Sequence, residues 1–294
     1  DHCGEICFAG LDIPDEYRDG IAPAYRRIDE TLLVQALAPR ARGAHKGDFG
    51  HVLVVGGGEG MPGAARLAAE AALRTGAGRV SIATHPSHAA MLVATRPELM
   101  SHAVTGKADL KPLLEKADVI VFGPGLGQSV WARGLYELVV QADQPAVWDA
   151  DALNLLAEDR GAAKNRVITP HPGEAATLLG CSAADVQADR PAALASLAEQ
   201  FGGIVVLKGS GSLISSNSVP YVCTSGNPGM ASPGMGDVLT GIVAALIAQG
   251  LDPGPAAAIG VEIHARAGDR SARGGERGMM ASDLMAELRV VLNP

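Results

Sequence analysis

The segment whose residues most clearly point to chemistry is the glycine-rich stretch 226–237. It leads directly into an apolar helical pattern at 238–249. Glycines ahead of a helix start are typical of an anion hole, where backbone N–H groups and the helix dipole meet phosphate oxygens. Asp237 would lie in the first turn of this helix, where it can accept a proton from a substrate hydroxyl. Positioned phosphates, a metal and such a base are the requirements of phosphoryl transfer. A helix cap is the alternative role for Asp237, but it leaves the glycines unexplained.

A second segment that could bind a substrate follows an apolar strand pattern at 204–207. It is Lys208 with the small residues 209–212. A lysine at the end of a buried strand needs an anionic partner, and we predict that a phosphate supplies it. The alternative is a surface hairpin turn.

Two further glycine loops follow strand patterns at 51–55 and 118–122. Gly58, Gly60 and Gly63 fit the G-x-G-x-x-G spacing, and the second loop covers 123–127. A dinucleotide site of the Rossmann type also needs an acidic residue after the next strand, 79–83, but Thr84 and His85 stand there. The loops therefore predict close backbone approach by a bulky ligand, with ligand-free tight turns as the alternative.

Polar side chains also follow two short apolar strands, at 146–148 and 167–168. Asp149 is predicted to meet a ligand or a metal-bound water, whereas Asp151 either does the same or caps the next helix. Prolines on both sides hold His171, for which we favour a ligand contact over a structural role. Glu174 either bears on Mg²⁺ through water or caps the helix predicted at 175–179.

These segments share one position, the end of a strand. Continuous apolar strands that alternate with helices, such as 63–75 with Glu70 on its polar side and 255–267, predict a parallel sheet covered by helices on both faces. In such sheets ligands bind at the carboxyl ends of the strands, so we expect the chemistry at one edge. No Walker A motif is present.

Composition excludes several classes of function. The net charge is −8 and no basic run occurs, so we predict no nucleic-acid partner. No apolar run is long enough to span a membrane. The four cysteines lack zinc-ligand spacing, which favours reduced thiols and a cytoplasmic protein.

Seven segments in order resemble the NAD(P)H-hydrate dehydratases of the ribokinase-like superfamily: 46–50, 56–65, 123–127, 149–154, 169–174, 208–212 and 226–237. The resemblance implies an α/β fold, a three-layer α/β/α sandwich with a mostly parallel central sheet. It also implies a lyase activity: ADP-dependent dehydration of the S epimer of hydrated NAD(P)H to NAD(P)H, with release of AMP and phosphate. Mg²⁺ is the implied metal, and ADP or ATP the co-substrate.

The same resemblance assigns site residues. Asp237 would be the base. The hydrate would contact Ala64, Gly123, Gly125, Gly127, His171 and Asp237, the nucleotide would contact Lys208, Gly209, Ser210, Gly211, Ser212, Asn227, Gly234 and Gly236, and Glu174 would bear on the metal through water. Ser212 stands where the family commonly has Thr, and Pro233 stands where we expect Gly, which removes one backbone donor near the anion hole.

Residues 1–42 differ from the rest, with an apolar strand pattern at 5–8 and a helical pattern at 29–37. We interpret them as the tail of a preceding epimerase domain plus a linker, and 43–294 as the dehydratase domain; an ordinary N-terminal arm is the alternative. The resemblance also implies a homo-oligomer, a tetramer or larger. Two other functions stay open: a ribokinase-like kinase for a sugar or a hydroxymethylpyrimidine or thiazole alcohol, and a nucleotide-binding regulator, which would have no use for Asp237.

Overall fold

A computed structural model of the chain describes residues 7, 9, 11–14 and 16–293. The described residues form a ten-stranded sheet with the order β1-β10-β9-β8-β7-β6-β5-β2-β3-β4. The strands are β1 Arg26–Arg27, β2 His51–Val55, β3 Arg79–Thr84, β4 Met100–Ala103, β5 Val119–Phe122, β6 Ala146–Trp148, β7 Arg166–Ile168, β8 Ile204–Leu207, β9 Leu213–Ile214 and β10 Tyr221–Val222. From β4 across to β8 every pairing is parallel, and only β9 runs antiparallel to its neighbours. The predicted, mostly parallel sheet is confirmed.

The helices lie on both faces of this sheet. They are α1 Glu16–Asp19, α2 Glu30–Ala36, α3 Pro62–Thr75, α4 Ala89–Leu92, α5 Lys107–Leu114, α6 Val130–Val139, α7 Asp151–Asp159, α8 Pro172–Leu179, α9 Ala183–Ala188, α10 Arg190–Phe201, α11 Met235–Ala248, α12 Pro253–Ser271 and α13 Leu284–Val291. Short 3-10 turns occupy Lys46–Phe49, Pro228–Met230, Ala272–Gly274 and Ala281–Asp283.

Alternation along the strands builds two cores, one on each face. Val52 and Val54 of β2 pack with α3, α11, α12 and α13, whereas Leu53 and Val55 pack with α5, α6, α7 and α10. All five residues of β2 are buried, as expected for a strand covered on both faces. The molecule is therefore a three-layer α/β/α sandwich, as predicted.

Close contact between α3 and α11 fixes the position of the site helix. A Cβ built on Gly241 would lie 2.0 Å from the backbone oxygen of Ala68, so only glycine permits this approach of the two backbones. Small residues at such a crossing let the i±4 rows of two helices interlock tightly. The start of α11 is therefore held rigidly against α3.

Several predicted boundaries change in the structure. Helix α11 begins at Met235 rather than at 238, and α12 extends well beyond 255–267 at both ends. Glu70, predicted on the polar side of α3, is instead 7% exposed and paired with Arg96. None of the helices in the described part of the chain has the length and apolar composition needed to cross a membrane.

The N-terminal residues join the main body of the domain. β1 pairs with β10, and α2 confirms the helix predicted at 29–37. Ile28 and Leu33 are 2% and 1% exposed and belong to the core that contains α3, α11 and α12. Residues 26–36 thus pack as an arm on this core; the assignment of 1–42 to a preceding epimerase domain stays a prediction. The strand predicted at 5–8 lies outside the described residues except for Cys7.

Candidate active site

The start of α11 has the backbone geometry expected of the predicted anion hole, whose binding of an anion stays a prediction. Gly234 is the N-cap, with a φ of 89° and no side-chain cap, and the first helical bond runs from Val238 N to Gly234 O at 3.1 Å. The N–H groups of Met235, Gly236 and Asp237 therefore have no partner within the helix. Donors of this kind, together with the helix dipole, bind anions. Asp237 is the third residue of the helix, so its carboxylate lies beside these donors.

Beside this turn, Lys208 lies between two acidic side chains. Its Nζ is 2.7 Å from Asp149 Oδ1 and 3.6 Å from Glu174 Oε2. The three side chains are only 18%, 3% and 12% exposed. The anionic partner predicted to be a phosphate is, in the protein itself, a pair of carboxylates from the ends of other strands. We call Asp149, Glu174, Lys208 and Asp237 the carboxylate–lysine cluster.

Thr240 links this cluster to the helix. Its hydroxyl lies 3.1 Å from Asp149 Oδ2 and 2.8 Å from the backbone oxygen of Gly236, so its single proton is donated to one of the two at a time. Thr240 is fully buried. Sequence reasoning missed it, although a hydroxyl inside an apolar helix, four residues after Gly236, was a visible signal.

Burial and neighbouring charges shift the pKa values of Asp237, Glu174 and Lys208. Burial, followed by the nearby Asp149 carboxylate, raises the pKa of Asp237 to about 7, against the opposing effect of Lys208. Burial also raises the pKa of Glu174. For Lys208 burial opposes protonation, but Asp149 and Glu174 outweigh it and hold its pKa above the ordinary value. Asp237 is thus a carboxylate that exchanges its proton near neutral pH, as a general base should.

The two glycine loops follow the neighbouring strands β2 and β5 and contact each other. Gly57 N donates to Pro124 O at 2.9 Å, and Gly58 N donates to Gly125 O at 2.6 Å. A Cβ on Gly123 would lie 1.9 Å from the backbone oxygen of Asp149, and one on Gly125 would lie 3.0 Å from the side chain of Ala64. The glycines are therefore required where backbones of neighbouring loops meet.

Asp151 fixes the second loop rather than capping a helix. Its Oδ2 accepts a hydrogen bond from Gly127 N at 2.8 Å, whereas the N-cap of α7 is Ala150, with a φ of 51°. The capping alternative for Asp151 is therefore wrong. Its carboxylate is also one of the charges that raise the pKa of Asp237, after burial and Asp149.

His171 and Glu174 form a reciprocal cap at the start of α8. His171 Nδ1 accepts from Gly173 N and Glu174 N at 3.0 and 3.2 Å, and Glu174 Oε2 accepts from His171 N at 2.8 Å. Because Nδ1 accepts, the proton of the neutral ring is on Nε2, which lies 3.4 Å from Glu174 Oε1. The His171 side chain is 55% exposed and thus accessible to a ligand. Glu174 caps this helix and also lies beside Lys208.

The segment 208–212 is the tight connection between the antiparallel strands β8 and β9, so the hairpin alternative describes its geometry correctly. Ser212 Oγ donates to Gly209 O at 3.0 Å, and Arg190 donates to the carbonyls of Leu207 and Ser210. Lys208 points inward to the cluster, while Gly209 and Ser210 are exposed. A hairpin and a nucleotide contact are compatible here.

Helix α12 holds the loop that precedes the anion hole. Asp269 accepts from Gly226 N and from Asn227 Nδ2, both at 3.0 Å, and Asn227 itself caps the turn at Pro228–Met230. Sequence reasoning missed Asp269, because nothing local indicates that a helical aspartate meets a loop more than 40 residues earlier. The predicted contact between Asn227 and the nucleotide stays a prediction.

Two buried polar atoms near the anion hole have no hydrogen-bond partner in the described part of the chain, Ser232 Oγ and His264 Nε2. Burial and the positive charge of Lys208 lower the pKa of His264 to about 4, so the ring is neutral. Sequence reasoning missed His264. Pro233 lies outside the helical turn, so the three N–H groups of that turn are all present despite the missing donor.

Comparison with known proteins places this chain in a family. A family model described as NAD(P)H-hydrate dehydratase matches residues 52–289. The chain is 50% identical to the bifunctional NAD(P)H-hydrate repair enzyme of Coxiella burnetii, covering all of this chain and 60% of that protein. It is 41% identical to the ADP-dependent (S)-NAD(P)H-hydrate dehydratase of Neisseria meningitidis, covering 86% of this chain and 88% of that one.

Solved structures of NAD(P)H-hydrate dehydratases are also similar to this chain. The ADP/ATP-dependent NAD(P)H-hydrate dehydratase of Bacillus subtilis, co-crystallised with ATP and Mg²⁺, matches with a TM-score of 0.81 and 26% identity, over 92% of this chain and 98% of that one. The ribokinase-like superfamily is represented among the matches, which confirms the predicted fold. The chain spans about 60% of the length of the bifunctional repair enzymes that it matches. On the family match and these identities, the chain belongs to the NAD(P)H-hydrate dehydratase family.

Proposed function

We propose that this chain repairs hydrated nicotinamide cofactor by dehydrating the S epimer of NAD(P)H hydrate at the expense of ADP. The observation that carries the proposal is the position of Asp237. Its carboxylate, with a pKa of about 7, lies in the first turn of α11 beside three unpaired N–H groups and close to Lys208. Family membership and the ADP-dependent relative supply the substrate class. No finding favours the small-molecule kinase.

In the first step the hydrate's hydroxyl oxygen attacks the β-phosphorus of ADP. A new O–P bond forms, the bridging P–O bond breaks, and AMP leaves with that electron pair. Asp237 takes the hydroxyl proton. The N–H groups of residues 235–237 hold the oxygens of the transferring phosphoryl group, and Lys208 offsets its charge.

In the second step the phosphorylated hydrate eliminates phosphate. The ring carbon–oxygen bond breaks, and phosphate departs with the electron pair. The neighbouring ring carbon loses a proton to the departing phosphate as the double bond reforms. The sum is hydrate plus ADP to NAD(P)H, AMP and phosphate, so no further reactant is needed. Phosphorylation thus converts a poor leaving group into a good one.

The other predicted residues divide between the two ligands. We assign the hydrate side to Ala64, Gly123, Gly125, Gly127 and His171, which line one stretch of the carboxyl edge of the sheet. We assign the nucleotide side to Lys208, Gly209, Ser210, Gly211, Ser212, Asn227, Gly234 and Gly236. The support is that Lys208 and Gly236 meet: a Cβ on Gly236 would lie 3.1 Å from Lys208 Nζ.

Mg²⁺ fits as a companion of the nucleotide rather than as a resident metal. The described residues contain no group of three or more His, Cys, Asp or Glu that could hold a metal ion. Mg²⁺ commonly binds through phosphates, waters and one or two carboxylates, and Glu174, 12% exposed beside Asp149, would hold a metal-bound water. The metal would neutralise charge on the phosphates.

A repair assay tests the proposal. The hydrate is supplied with ADP or ATP in parallel, and recovery of the reduced nicotinamide absorbance is followed. We expect recovery with the wild type and loss of at least about a thousandfold in kcat with Asp237→Asn, while nucleotide affinity stays within about threefold. Asp252→Asn, at the exposed N-cap of α12, is the matched control. Normal turnover by Asp237→Asn would show that the assigned base is wrong.

Three broader expectations stay proposals. A cytoplasmic location agrees with the free thiols of Cys7, Cys181 and Cys223, the described cysteines. A homo-oligomer, tetramer or larger, is to be tested by sedimentation. The assignment of 1–42 to the tail of a preceding epimerase domain plus a linker also stays a proposal, and its support is that relatives of this chain are described as bifunctional.

A further inference from the structure

A cavity beside the two glycine loops has no role in the scheme above. Its volume is about 430 Å³, and its walls include Glu59, Met61, His85, Gly127, Val130 and Trp131. Small-molecule sites commonly measure about 300–1,000 Å³, so a planar base with part of its sugar fits this space.

The cavity has a fixed aromatic wall. The Trp131 ring is held by a hydrogen bond from Nε1 to the backbone oxygen of Val104 at 2.8 Å, and the His85 ring meets it edge to face with centroids 5.6 Å apart. His85 is fixed in turn by Ser87 Oγ, 2.7 Å from its Nδ1. A preformed wall of this kind offers stacking without much loss of side-chain entropy on binding.

Apolar side chains that a ligand would cover stand at the rim. Val130 is 90% exposed and Met61 is 44% exposed. A base in the cavity would remove apolar surface of both from water, which favours binding. Glu59 is the acidic residue of the lining, and no lysine or arginine lines the cavity, so the cavity does not suit an anionic part of a ligand.

The cavity shares Gly127 with the residues that we assign to the hydrate. Gly127 lines it and donates its N–H to Asp151, whose charge acts on Asp237. Met61, which lines the cavity, and Ala64, which we assign to the hydrate, both lie next to Gly125. The Lys208 hairpin does not line the cavity.

The segment between the cavity and the reaction centre can hold the charged middle of a dinucleotide. Helix α3 begins there with Met61 as N-cap and no side-chain cap, so the N–H groups of Gly63 and Ala64 have no partner within the helix. A pyrophosphate fits such donors. Base, pyrophosphate and hydrated ring would then follow one edge in that order.

We propose that this cavity binds the purine base at the far end of the hydrated dinucleotide. The inference rests on the proposed function and deepens it. Its chemical content is a neutral heteroaromatic ring that stacks on Trp131 and meets the His85 ring edge to face, with Val130 covering it from solvent. Remote binding of this kind holds the small reacting ring in position at Asp237.

The experiment compares two substrates and three variants. The substrates are the dinucleotide hydrate and the hydrate of nicotinamide mononucleotide, which lacks the purine half. Val130→Glu places a carboxylate at the rim without disturbing the core, and Trp131→Leu removes the stacking surface. Val290→Glu, 47% exposed on α13, is the matched control.

We expect Val130→Glu and Trp131→Leu to raise KM for the dinucleotide hydrate about tenfold, from the loss of one base-stacking contact. KM for ADP should stay within twofold, since ADP binds elsewhere, and values for the mononucleotide hydrate should not change. Val290→Glu should behave as wild type. Equal effects on both hydrates, or no effect on either, would overturn the proposal.

A binding measurement separates this proposal from the proposed function. Calorimetry with the reduced dinucleotide and the reduced mononucleotide should show the same selective loss in the two variants, whether or not turnover occurs. If the wild type binds the dinucleotide selectively but dehydrates nothing, the proposed function is wrong and the base site stands. If Val130→Glu and Trp131→Leu bind the dinucleotide as the wild type does, the base site is wrong.

Discussion

The raised pKa of Asp237 makes a quantitative prediction about stability. Burial and the Asp149 charge raise this pKa from 3.8 to about 7 on folding. An acid whose pKa rises on folding binds its proton more tightly in the folded state, so the wild type loses stability as the pH increases from about 4 to 7. Below that window the cost is absent, and above it the cost is complete. Asp237→Asn removes the titrating group and with it this loss.

The size of the effect follows from the shift. An increase from 3.8 to about 7 corresponds to roughly 4 kcal/mol, at about 1.4 kcal/mol per pH unit. The neutral amide gives up a favourable interaction with the start of α11 worth about 0.3–1 kcal/mol. Lys208 keeps Asp149 and Glu174 as partners in the variant. At pH 8 Asp237→Asn should therefore be more stable than the wild type by about 3 kcal/mol.

Urea unfolding at pH 5, 6, 7 and 8 measures this difference for the wild type, Asp237→Asn and the control Asp252→Asn. The advantage of Asp237→Asn should grow by about 2–3 kcal/mol between pH 5 and pH 8 and level off above pH 7. The helix-dipole interaction acts only on the ionised carboxylate, so it is part of this growth and not a constant offset. An advantage that is constant across the four pH values would refute the assigned pKa and, with it, the electrostatic description of the site.

Three further predictions concern other residues. Asp149→Asn removes the charge that contributes most, after burial, to the raised pKa of Asp237. The acid limb of the plot of kcat against pH should therefore move to lower pH. An unchanged midpoint of this limb would contradict the prediction. Gly236→Ala places a methyl group 3.0 Å from Asp149 Oδ2, so we expect at least a tenfold loss of kcat while the free energy of unfolding changes by less than about 1 kcal/mol. Gly241→Ala should destabilise the protein by about 1–3 kcal/mol in urea unfolding, because its methyl group meets the α3 backbone. Its control is Gly134→Ala on α6, where a methyl group meets open space and a small gain is expected.

The sequence predicted the sheet well because its signals are local. β2, β3 and β8 are short apolar runs, each followed by glycine, threonine or lysine, and parallel pairing of such runs brings their ends together. The contact between the two glycine loops followed from this geometry alone. Glycine is needed at positions such as Gly58 and Gly123, because any Cβ there would collide with the backbone of a neighbouring segment.

Long-range polar partners could not be predicted in this way. Asp149 and Thr240 are 91 residues apart, and Asp149 and Lys208 are 59 residues apart. Either acidic residue after β6 fits the local pattern of a ligand contact or a helix cap. Only the packing of α11 over the sheet decides that Asp149 pairs with the lysine and that Asp151 holds the Gly127 loop. The local pattern predicts charged side chains at this edge of the sheet, but it does not predict which side chains pair with each other.

The pairs explain why this edge is suited to a general base. Lys208 is within 4 Å of two carboxylates and carries one positive charge, so adding Asp237 to the same buried space leaves its negative charge uncompensated. The pKa of Asp237 then rises towards neutrality instead of falling, as it would beside a lysine alone. A bound phosphate would draw Lys208 away from Asp149 and add negative charge, which raises the proton affinity of Asp237 further. On the proposed function, nucleotide binding and proton transfer would therefore be coupled through the lysine, and Asp237 would become a stronger base when the phosphoryl group to be transferred is in place.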